Sequence, residues 1–267
     1  MGRVISLLKT VLSEPLTRGL DIDDPLTTAL RQRIVKRKKF LNSIYKEWYT
    51  LIAAALPPGP GGVLELGTGA GFLGEFIPGL VTSDIMHCPG LRVVLNGMEL
   101  PFADRSLRGI VMTDVLHHLP DQRRVFREAA RCVRPGGVVS MVEPWVTPWS
   151  RFIHAMLHAE PFEPQSAEWG FPPKGPLSGA NGALPWILFS RDVQQFRREF
   201  PQWRVETVRP FMPFRYIVSG GVTMRGIMPH ITFGAWRRFE GLLHPLRDQL
   251  AIFAHITLRR TDVAHNA

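Results

Sequence analysis

Residues 63–73 read Val-Leu-Glu-Leu-Gly-Thr-Gly-Ala-Gly-Phe-Leu, a short apolar run that leads directly into a glycine-rich turn. The glycines stand at positions 67, 69 and 71, where the missing Cβ lets the backbone turn sharply and lets a ligand approach closely. We expect a strand, a ligand-binding turn and then a helix over residues 72–77. The stretch therefore predicts a nucleotide-like cofactor site at the end of a buried strand.

The spacing of these glycines differs from the fingerprint of dinucleotide-binding enzymes. That fingerprint places glycine at the first, third and sixth positions, and here the sixth position is Phe72. A carboxylate at Glu65 would also repel a pyrophosphate, whereas it suits a ligand that carries an amino group and a sulfonium. S-adenosylmethionine carries both cations, so we expect it as the cofactor in preference to NAD.

Further strands follow at short intervals along the chain. We expect them over residues 80–84, 91–95, 109–114 and 138–143, with a helix over 122–132. Strands that alternate with helices indicate a parallel sheet with right-handed crossovers, whose ligands bind at the carboxyl ends of the strands. The polar residues expected along that edge are Glu65, Asp84, Asn96, Asp114 and Glu143. Asp84 fits an acid that accepts hydrogen bonds from ribose hydroxyls, or one that caps the next helix.

Four motifs occur in order: residues 63–71, Leu-Pro-Phe-Ala-Asp at 100–104, Val-Leu-His-His-Leu at 115–119 and Arg-Pro-Gly-Gly at 134–137. Over roughly residues 60–145 the chain thereby resembles class I S-adenosylmethionine-dependent methyltransferases of the type 11 group. The resemblance implies that Glu65 lies beside the methionine part, that Asp84 holds the ribose, and that residues 96–98 flank the adenine. The complete set of expected cofactor-binding residues is Glu65, Gly67, Thr68, Gly69, Gly71, Asp84, Asn96, Gly97, Met98 and Asp114.

The chain departs from the family pattern in two places. Asn96 stands where the family usually has an acid, and an amide pairs with an adenine edge as donor and acceptor. The helix that usually joins the second and third strands is missing, since only residues 85–90 connect them. We therefore expect a more open adenine pocket.

The expected architecture is one α/β domain over residues 1–267, with a doubly wound, mostly parallel seven-stranded sheet. Its parts are an N-terminal helical cap (1–58, with a helix over 40–56), a cofactor-binding half (59–143), a loop-rich substrate-covering insertion (144–190) and the C-terminal part of the sheet (191–267). In that last part we expect a helix over 191–200, a strand over 203–209, mostly helix over 233–250 and a strand over 251–260. The two strands would form the antiparallel last pair of the sheet.

Composition limits the protein class. The chain has 267 residues, 45% of them hydrophobic, which is enough to bury a full core. Two cysteines cannot form a disulfide framework, and no apolar run approaches the ~20 residues of a membrane span, so we expect a cytoplasmic protein. Residues 1–6 fit the loose myristoylation pattern. Part of the net charge of +9 lies in the basic run 31–39, which is either a solvated helix face or a peripheral membrane contact.

Catalytic and acceptor-binding residues are harder to place. His117 and His118 are the candidate bases, although such a pair also serves for packing, and His154, His158 and Glu160 form a second polar set. Tyr45 and Tyr49 of the cap line the site or pack the cap onto the sheet. The aromatic residues of the insertion cover an acceptor pocket or form a satellite core, and residues 181–186 and 214–221 are further candidates, with Arg215 for an anionic acceptor. No spacing predicts a metal site.

Together these observations predict methyl transfer to a small or lipid-like acceptor at oxygen, with nitrogen and carbon left open. One alternative is an inactive cofactor-binding protein that acts through partners. Another is an RNA methyltransferase, suggested by the positive charge. Against it, the Asn/Asp-Pro-Pro-Tyr/Phe signature of exocyclic-amine chemistry is absent after the fourth strand, where the sequence reads Asp-Val-Leu-His, so we do not expect a nucleic-acid partner.

Overall fold

The computed structural model describes residues 13–16, 19–21, 23–157, 160–172, 175 and 178–262. The myristoylation pattern at residues 1–6 and His158 lie outside these residues. Within them, the chain forms a single sheet with helices packed on both faces.

The sheet has seven strands in the described part of the chain, in the order β3-β2-β1-β4-β5-β7-β6. Their bounds are β1 Gly62–Leu66, β2 Val81–Asp84, β3 Val93–Val94, β4 Leu107–Thr113, β5 Val133–Pro144, β6 Trp203–Phe211 and β7 Phe253–Arg260. Strands β1 to β5 are parallel, and β7 runs antiparallel to both β5 and β6. The predicted doubly wound, mostly parallel seven-stranded sheet is confirmed.

The described helices follow the apolar periodicity of the sequence. Their bounds are α1 Pro25–Arg37, α2 Lys39–Ala55, α3 Gln122–Cys132, α4 Pro148–Leu157, α5 Leu184–Trp186, α6 Val193–Glu199, α7 Arg215–Ser219, α8 Phe233–Leu242 and α9 Arg247–Leu250. Helix α1 begins where the Asp24 side chain accepts a hydrogen bond from the backbone N–H of Leu26 (2.8 Å). Asp121 caps α3 in the same way through the N–H of Arg124 (3.0 Å), and this helix spans the predicted residues.

Two apolar layers hold the helices against the sheet. On one face, Phe126 of α3 and Phe196 of α6 pack on Ile256 of β7. On the other face, Trp48 of α2 packs with Val111 of β4 in a second buried cluster. Because both faces of the central strands are covered, β4 and β5 are almost continuously apolar, as is usual for parallel sheets.

Some predicted elements are wrong in kind or length. Residues 72–77 form only a 3₁₀ turn, Leu73–Glu75, because Pro78 and Gly79 follow within one helical turn and leave too few residues to nucleate an α-helix. Strand β3 is two residues long instead of five, as suits an edge strand. The expected turn at 134–137 lies inside β5, where the pairing with β4 shifts register.

The C-terminal half and the insertion also differ in detail from the prediction. The predicted helix over 233–250 breaks between α8 and α9, where Pro245 stands at the start of a 3₁₀ turn. The insertion is more ordered than a loop, since α4 and α5 lie within it. As predicted, no helix separates β2 from β3 in this described stretch.

Candidate active site

A cavity of about 620 Å³ opens at the carboxyl ends of β1, β2 and β4, where parallel α/β sheets bind their ligands. Its volume falls in the about 300–1,000 Å³ range of small-molecule sites. Every residue predicted to bind the cofactor lies in its wall. These residues are Glu65, Gly67, Thr68, Gly69, Gly71, Asp84, Asn96, Gly97, Met98 and Asp114. Their common location follows from the fold, and their contact with a cofactor remains a prediction.

The glycine turn after β1 depends on missing side chains. Gly67 has φ +64° and Gly69 has φ +47°, a region that glycine adopts without strain. A Cβ atom at Gly67 would lie 2.6 Å from Cγ2 of Val115, and one at Gly71 would lie 2.6 Å from the hydroxyl of Tyr49. Side chains at these two positions would therefore clash with the protein itself, in addition to narrowing the space for a ligand.

Glu65 is the buried acid at the end of β1, only 2% exposed. Its Oε2 accepts a hydrogen bond from Oγ1 of Thr68 at 2.8 Å. Burial raises the pKa of Glu65 to about 7, the bond from Thr68 lowers it, and the charge of Asp84 raises it further. A buried carboxylate that resists ionisation in this way is stabilised as an anion by a cationic ligand.

Asp84 closes the glycine turn onto β2. Its Oδ2 accepts the N–H of Gly69 (3.0 Å) and its Oδ1 accepts the N–H of Met86 (3.2 Å). Each carboxylate oxygen has room for a further hydrogen bond, so the predicted contact with ribose hydroxyls is compatible with these bonds. Next to it, Oδ1 of Asn96 accepts the N–H of Met98 (3.0 Å), which fixes the loop expected to flank the adenine.

Asp114 lies directly after β4 with φ +63°, a strained conformation for a residue other than glycine. Its backbone N–H donates to the carbonyl of Val142 at 2.8 Å, which holds the strand end in place. Burial raises the pKa of Asp114 to about 6, against the charge of His117, which lowers it. Like Glu65, this half-buried acid lies on the cavity wall.

The two histidines of the 115–119 motif have different surroundings. His117 is 1% exposed and is not among the residues of the cavity wall, and its role in catalysis stays a prediction. Its Nδ1 lies 2.8 Å from Oε2 of Glu143, and the other oxygen of Glu143 accepts the N–H groups of Val115 and Leu116. Burial alone would lower the pKa of His117, but hydrogen bonds to Glu143 and Glu160 raise it well above its ordinary value.

His118 does line the cavity. Its Nδ1 lies 3.2 Å from the carbonyl oxygen of Gly179, which can only accept, so the proton resides on Nδ1 and the lone pair on Nε2. Burial and the neighbouring charge of His117 lower the pKa of His118 to about 4. The ring is therefore neutral at physiological pH, with a nitrogen lone pair available.

Helix α1 contributes a cation that the sequence analysis did not single out. Among the described residues, Arg31 is the one Lys or Arg whose side chain lines the cavity. Thr28 and Ile34, three residues before and after it, are buried, and this spacing places Arg31 on the inward face of the helix. This three-residue periodicity is the sequence signal that could have identified Arg31 as a cavity residue. The Nε of Arg31 is buried and has no hydrogen-bond partner.

Arg215 is not among the residues that line the cavity, and its role in gripping an anionic acceptor stays a prediction. Its side chain is 6% exposed and pairs with Glu240, while Nη1 lies 2.7 Å from Oε2 of Glu47 on α2. The backbone N–H groups of Phe214 and Arg215 also donate to Glu240. These bonds make Arg215 a link between the cap and α8.

The far end of the cavity is largely apolar. Ile153 and Leu157 of α4, Phe171 of the insertion and Ile217 of α7 line it, together with the polar residues His154 and Glu160. Other aromatic residues of the insertion, Trp145 and Trp169, belong to the core. The insertion thus combines the two roles left open by the sequence.

Asn181 holds a turn through its Oδ1, which accepts the N–H of Glu163 (2.9 Å), and it lies outside the cavity wall.

The cap tyrosines Tyr45 and Tyr49 also combine both roles, since they line the cavity and belong to the buried cluster under α2.

In the basic run 31–39, Arg37 and Lys38 pair with Glu14 at 2.7 and 3.1 Å. Part of the run is therefore committed to internal contacts, and its contact with a membrane stays a prediction. None of the described helices has the length and apolar character needed to cross a bilayer.

Comparison with known proteins agrees with this geometry. Residues 64–141 match the family model of a type 11 methyltransferase domain. The chain is 28% identical over 178 residues to an uncharacterized methyltransferase of Mycobacterium sp. (strain JLS), covering 56% of this chain and 71% of the relative. It is 33% identical over 117 residues to a demethylmenaquinone methyltransferase of Roseiflexus sp. (strain RS-1), covering 37% of this chain and 49% of the relative.

A third relative is the 27-O-demethylrifamycin SV methyltransferase of Amycolatopsis mediterranei (strain S699), 44% identical over 46 residues, or 17% of each chain. The matched segments thus span less than half the length of two of these three relatives. The match agrees with the family predicted from the four motifs: residues 64–141 are a type 11 methyltransferase domain.

Proposed function

We propose that this protein transfers the methyl group of S-adenosylmethionine to a small, largely apolar acceptor at an oxygen atom. The observation that carries the proposal is one continuous cavity with a polar end at the glycine turn and an apolar end under α4 and the insertion. A cofactor and an acceptor placed in these two ends would meet between them. In-line methyl transfer requires this alignment.

The polar end fits the cofactor through its charges. Glu65 is a buried acid and Asp114 a half-buried acid on the cavity wall, and they suit the amino group and the sulfonium. The methionine carboxylate needs a cation, and we assign Arg31 to it because no other Lys or Arg side chain lines the described wall. Predicted ribose and adenine contacts, to Asp84 and to residues 96–98, complete this end.

We assign the acceptor oxygen to the part of the cavity wall that His118 and Glu160 form. The neutral ring of His118 can accept a hydrogen bond from a hydroxyl, while His117 acts from behind as a positioning residue. When bound, S-adenosylmethionine supplies the methyl group: the O–C bond forms as the C–S bond breaks, its electrons stay on sulfur, and the hydroxyl proton leaves to solvent. The names of two relatives, a 27-O-demethylrifamycin SV methyltransferase and a demethylmenaquinone methyltransferase, support an apolar acceptor.

The test is turnover with methyl-labelled S-adenosylmethionine on a panel of hydroxylated quinones, polyketides and terpenoid alcohols. We expect a labelled methyl ether with at least one class. Calorimetry with the demethylated cofactor should show one site per chain, and Arg31→Gln should weaken it about tenfold, the effect of about 1.4 kcal/mol from a charge-assisted bond. The matched control is Arg33→Gln, an exposed arginine of the same helix.

The outcomes separate the competing functions. Tight cofactor binding with no transfer to any acceptor on the panel would favour an inactive cofactor-binding protein. Equal affinity of Arg31→Gln, Arg33→Gln and the wild type would remove Arg31 from the cofactor site.

A further inference from the structure

His117 has the surroundings of a metal-binding histidine. Its Nδ1 lies 2.8 Å from a carboxylate oxygen of Glu143, which two backbone N–H groups hold in place. Histidines that ligate metals usually donate one ring N–H to such a carboxylate, which fixes the tautomer and turns the other nitrogen toward the metal. That other nitrogen, Nε2, points at Glu160, 3.8 Å from its Oε2.

His118 repeats the arrangement with a different acceptor. The carbonyl of Gly179 takes its Nδ1–H, and the Nε2 lone pair stays available. The two rings lie side by side, with centroids 4.2 Å apart. Adjacent residues on one short 3₁₀ turn, Leu116–His118, thus each have an outer hydrogen-bond acceptor on Nδ1.

Glu160 completes the set from the insertion. One ligand atom from each of His117, His118 and Glu160 lies within 4.8 Å of the other two. Metal–ligand bonds of about 2.1 Å in tetrahedral geometry need these atoms to be about 3.4 Å apart. The Glu160 side chain is 34% exposed and can make this small approach, whereas both histidines are fixed.

We propose that His117, His118 and Glu160 bind a divalent transition-metal ion of the zinc type at the cavity wall, with an open position toward the acceptor. Two imidazoles and one carboxylate are a usual ligand set for catalytic zinc. The two further acids next to these ligands, Asp114 and Glu143, also favour a dication. The sequence did not predict this site because Glu160 lies far along the chain from the two histidines.

A second group of possible ligands, Asp114, His117 and Glu143, is less suited to a metal. The oxygens of Glu143 already accept two backbone N–H groups and the ring of His117. A metal there would have to break these bonds, and His117 would offer it the nitrogen that faces Glu143. The set with Glu160 leaves all of them intact.

The role of the ion rests on the proposed function, while its binding does not. An acceptor hydroxyl bound at the open position would lose its proton more readily, because a bound zinc-type ion lowers the pKa of a ligating oxygen. His118 would then hold the ion, and the ion would hold the acceptor oxygen. The proton would go to solvent, and the methyl group would come from the cofactor.

The experiment titrates Zn²⁺ into the full chain, freed of metal with a chelator, and follows heat. Co²⁺ in place of Zn²⁺ gives a visible absorption band that reports imidazole coordination. We expect one high-affinity ion per chain. Glu160→Gln and His118→Gln should each weaken Zn²⁺ binding by about 100-fold. Loss of an outer hydrogen-bond partner costs about 10–100-fold, and loss of a direct ligand should cost at least as much as the upper value. His230→Gln, the same change at an exposed histidine, should leave the affinity unchanged.

The competing arrangement is a doubly protonated His117 ring that bridges Glu143 and Glu160 without metal. Nitrogen NMR of His117 with saturating Zn²⁺ distinguishes the two, since only the metal site leaves Nε2 unprotonated. A doubly protonated ring under these conditions, or equal Zn²⁺ affinity in the wild type and both cavity variants, would overturn the proposal. Binding of the demethylated cofactor is measured separately, so a failed metal site and a failed methyltransferase give different results.

Discussion

The two ends of the cavity are built in different ways. The cofactor end consists of the glycine turn and the ends of β1, β2 and β4, so it depends on backbone geometry and on residues that follow one another in a repeating pattern. The acceptor end is assembled from side chains of α4, the insertion and α7, which are far apart in the chain. The first is the part that a sequence pattern predicts well. The second depends on which side chains long-range packing brings together.

Arg215→Ala should have the largest effect, and it tests the acceptor end. The change leaves Glu240 buried without its partner and removes a link to Glu47, and breaking a buried ion pair in this way costs about 3–5 kcal/mol of the free energy of unfolding. Because Arg215 lies outside the cavity, the folded variant should keep the wild-type affinity for the demethylated cofactor. Denaturant unfolding and calorimetry measure the two quantities.

The control for Arg215 is Arg237→Ala. Arg237 also approaches Glu47, at 3.6 Å, but its side chain is 67% exposed, and such surface pairs contribute about 0–1 kcal/mol. A stable Arg215→Ala protein with weakened affinity for an acidic acceptor would instead return Arg215 to the acceptor site.

Gly67→Ala comes next in size and tests the cofactor end. Alanine would have to adopt φ +64° and would place a Cβ 2.6 Å from Val115. Backbone strain and overpacking, each of about 1–2 kcal/mol here, should together lower stability by roughly 2–4 kcal/mol. The displaced turn should also weaken cofactor binding. Thermal unfolding with and without the demethylated cofactor checks both effects.

Gly74→Ala is the matched control for this turn. A Cβ there meets no atom within 4 Å, so the variant should unfold at or slightly above the wild-type temperature. If the two alanine variants behaved alike, the turn would not depend on the missing side chain at Gly67.

The different construction of the two ends explains what the sequence predicted. Strands that end on acids and a turn rich in glycine are local patterns, and the parallel topology then brings Glu65, Asp84 and Asp114 to one edge. The helix expected over 72–77 was wrong because Pro78 lies too close, although the turn before it has the expected geometry. The errors in individual predicted elements therefore did not change the prediction of where the cofactor end lies.

Long-range pairing could not be predicted in the same way. The sequence does not tell whether Arg215 or Arg31 lines the cavity, and only the fold shows that Glu240 and Glu47 hold the first while the second lines it. Likewise, His117 and His118 are neighbours in sequence, yet Glu143 is close to one and the Gly179 carbonyl to the other. These differences depend on partners 26 and 61 residues away.

The smallest expected effect is the pH dependence that Glu65 gives to the cofactor end. Burial raises its pKa from 4.5 to about 7, so the free folded protein binds a proton there that the unfolded chain has lost. Stability without ligand should therefore fall as pH rises from about 4.5 to about 7, because the folded state holds more protons in this window. Affinity for S-adenosylmethionine should change with the opposite sign, since its cations select the ionised carboxylate.

Calorimetry between pH 5.5 and 8.5 should thus show affinity that is constant above about pH 7 and falls about tenfold per pH unit below it. Glu65→Gln should remove this step and weaken binding at pH 8. Asp114, whose pKa burial raises to about 6, should still give the variant a step at lower pH. Equal wild-type affinities at pH 6 and pH 8 would mean that no buried acid faces the cofactor's cations, and the charge complementarity assigned to the cofactor end would have to come from the backbone of the turn alone.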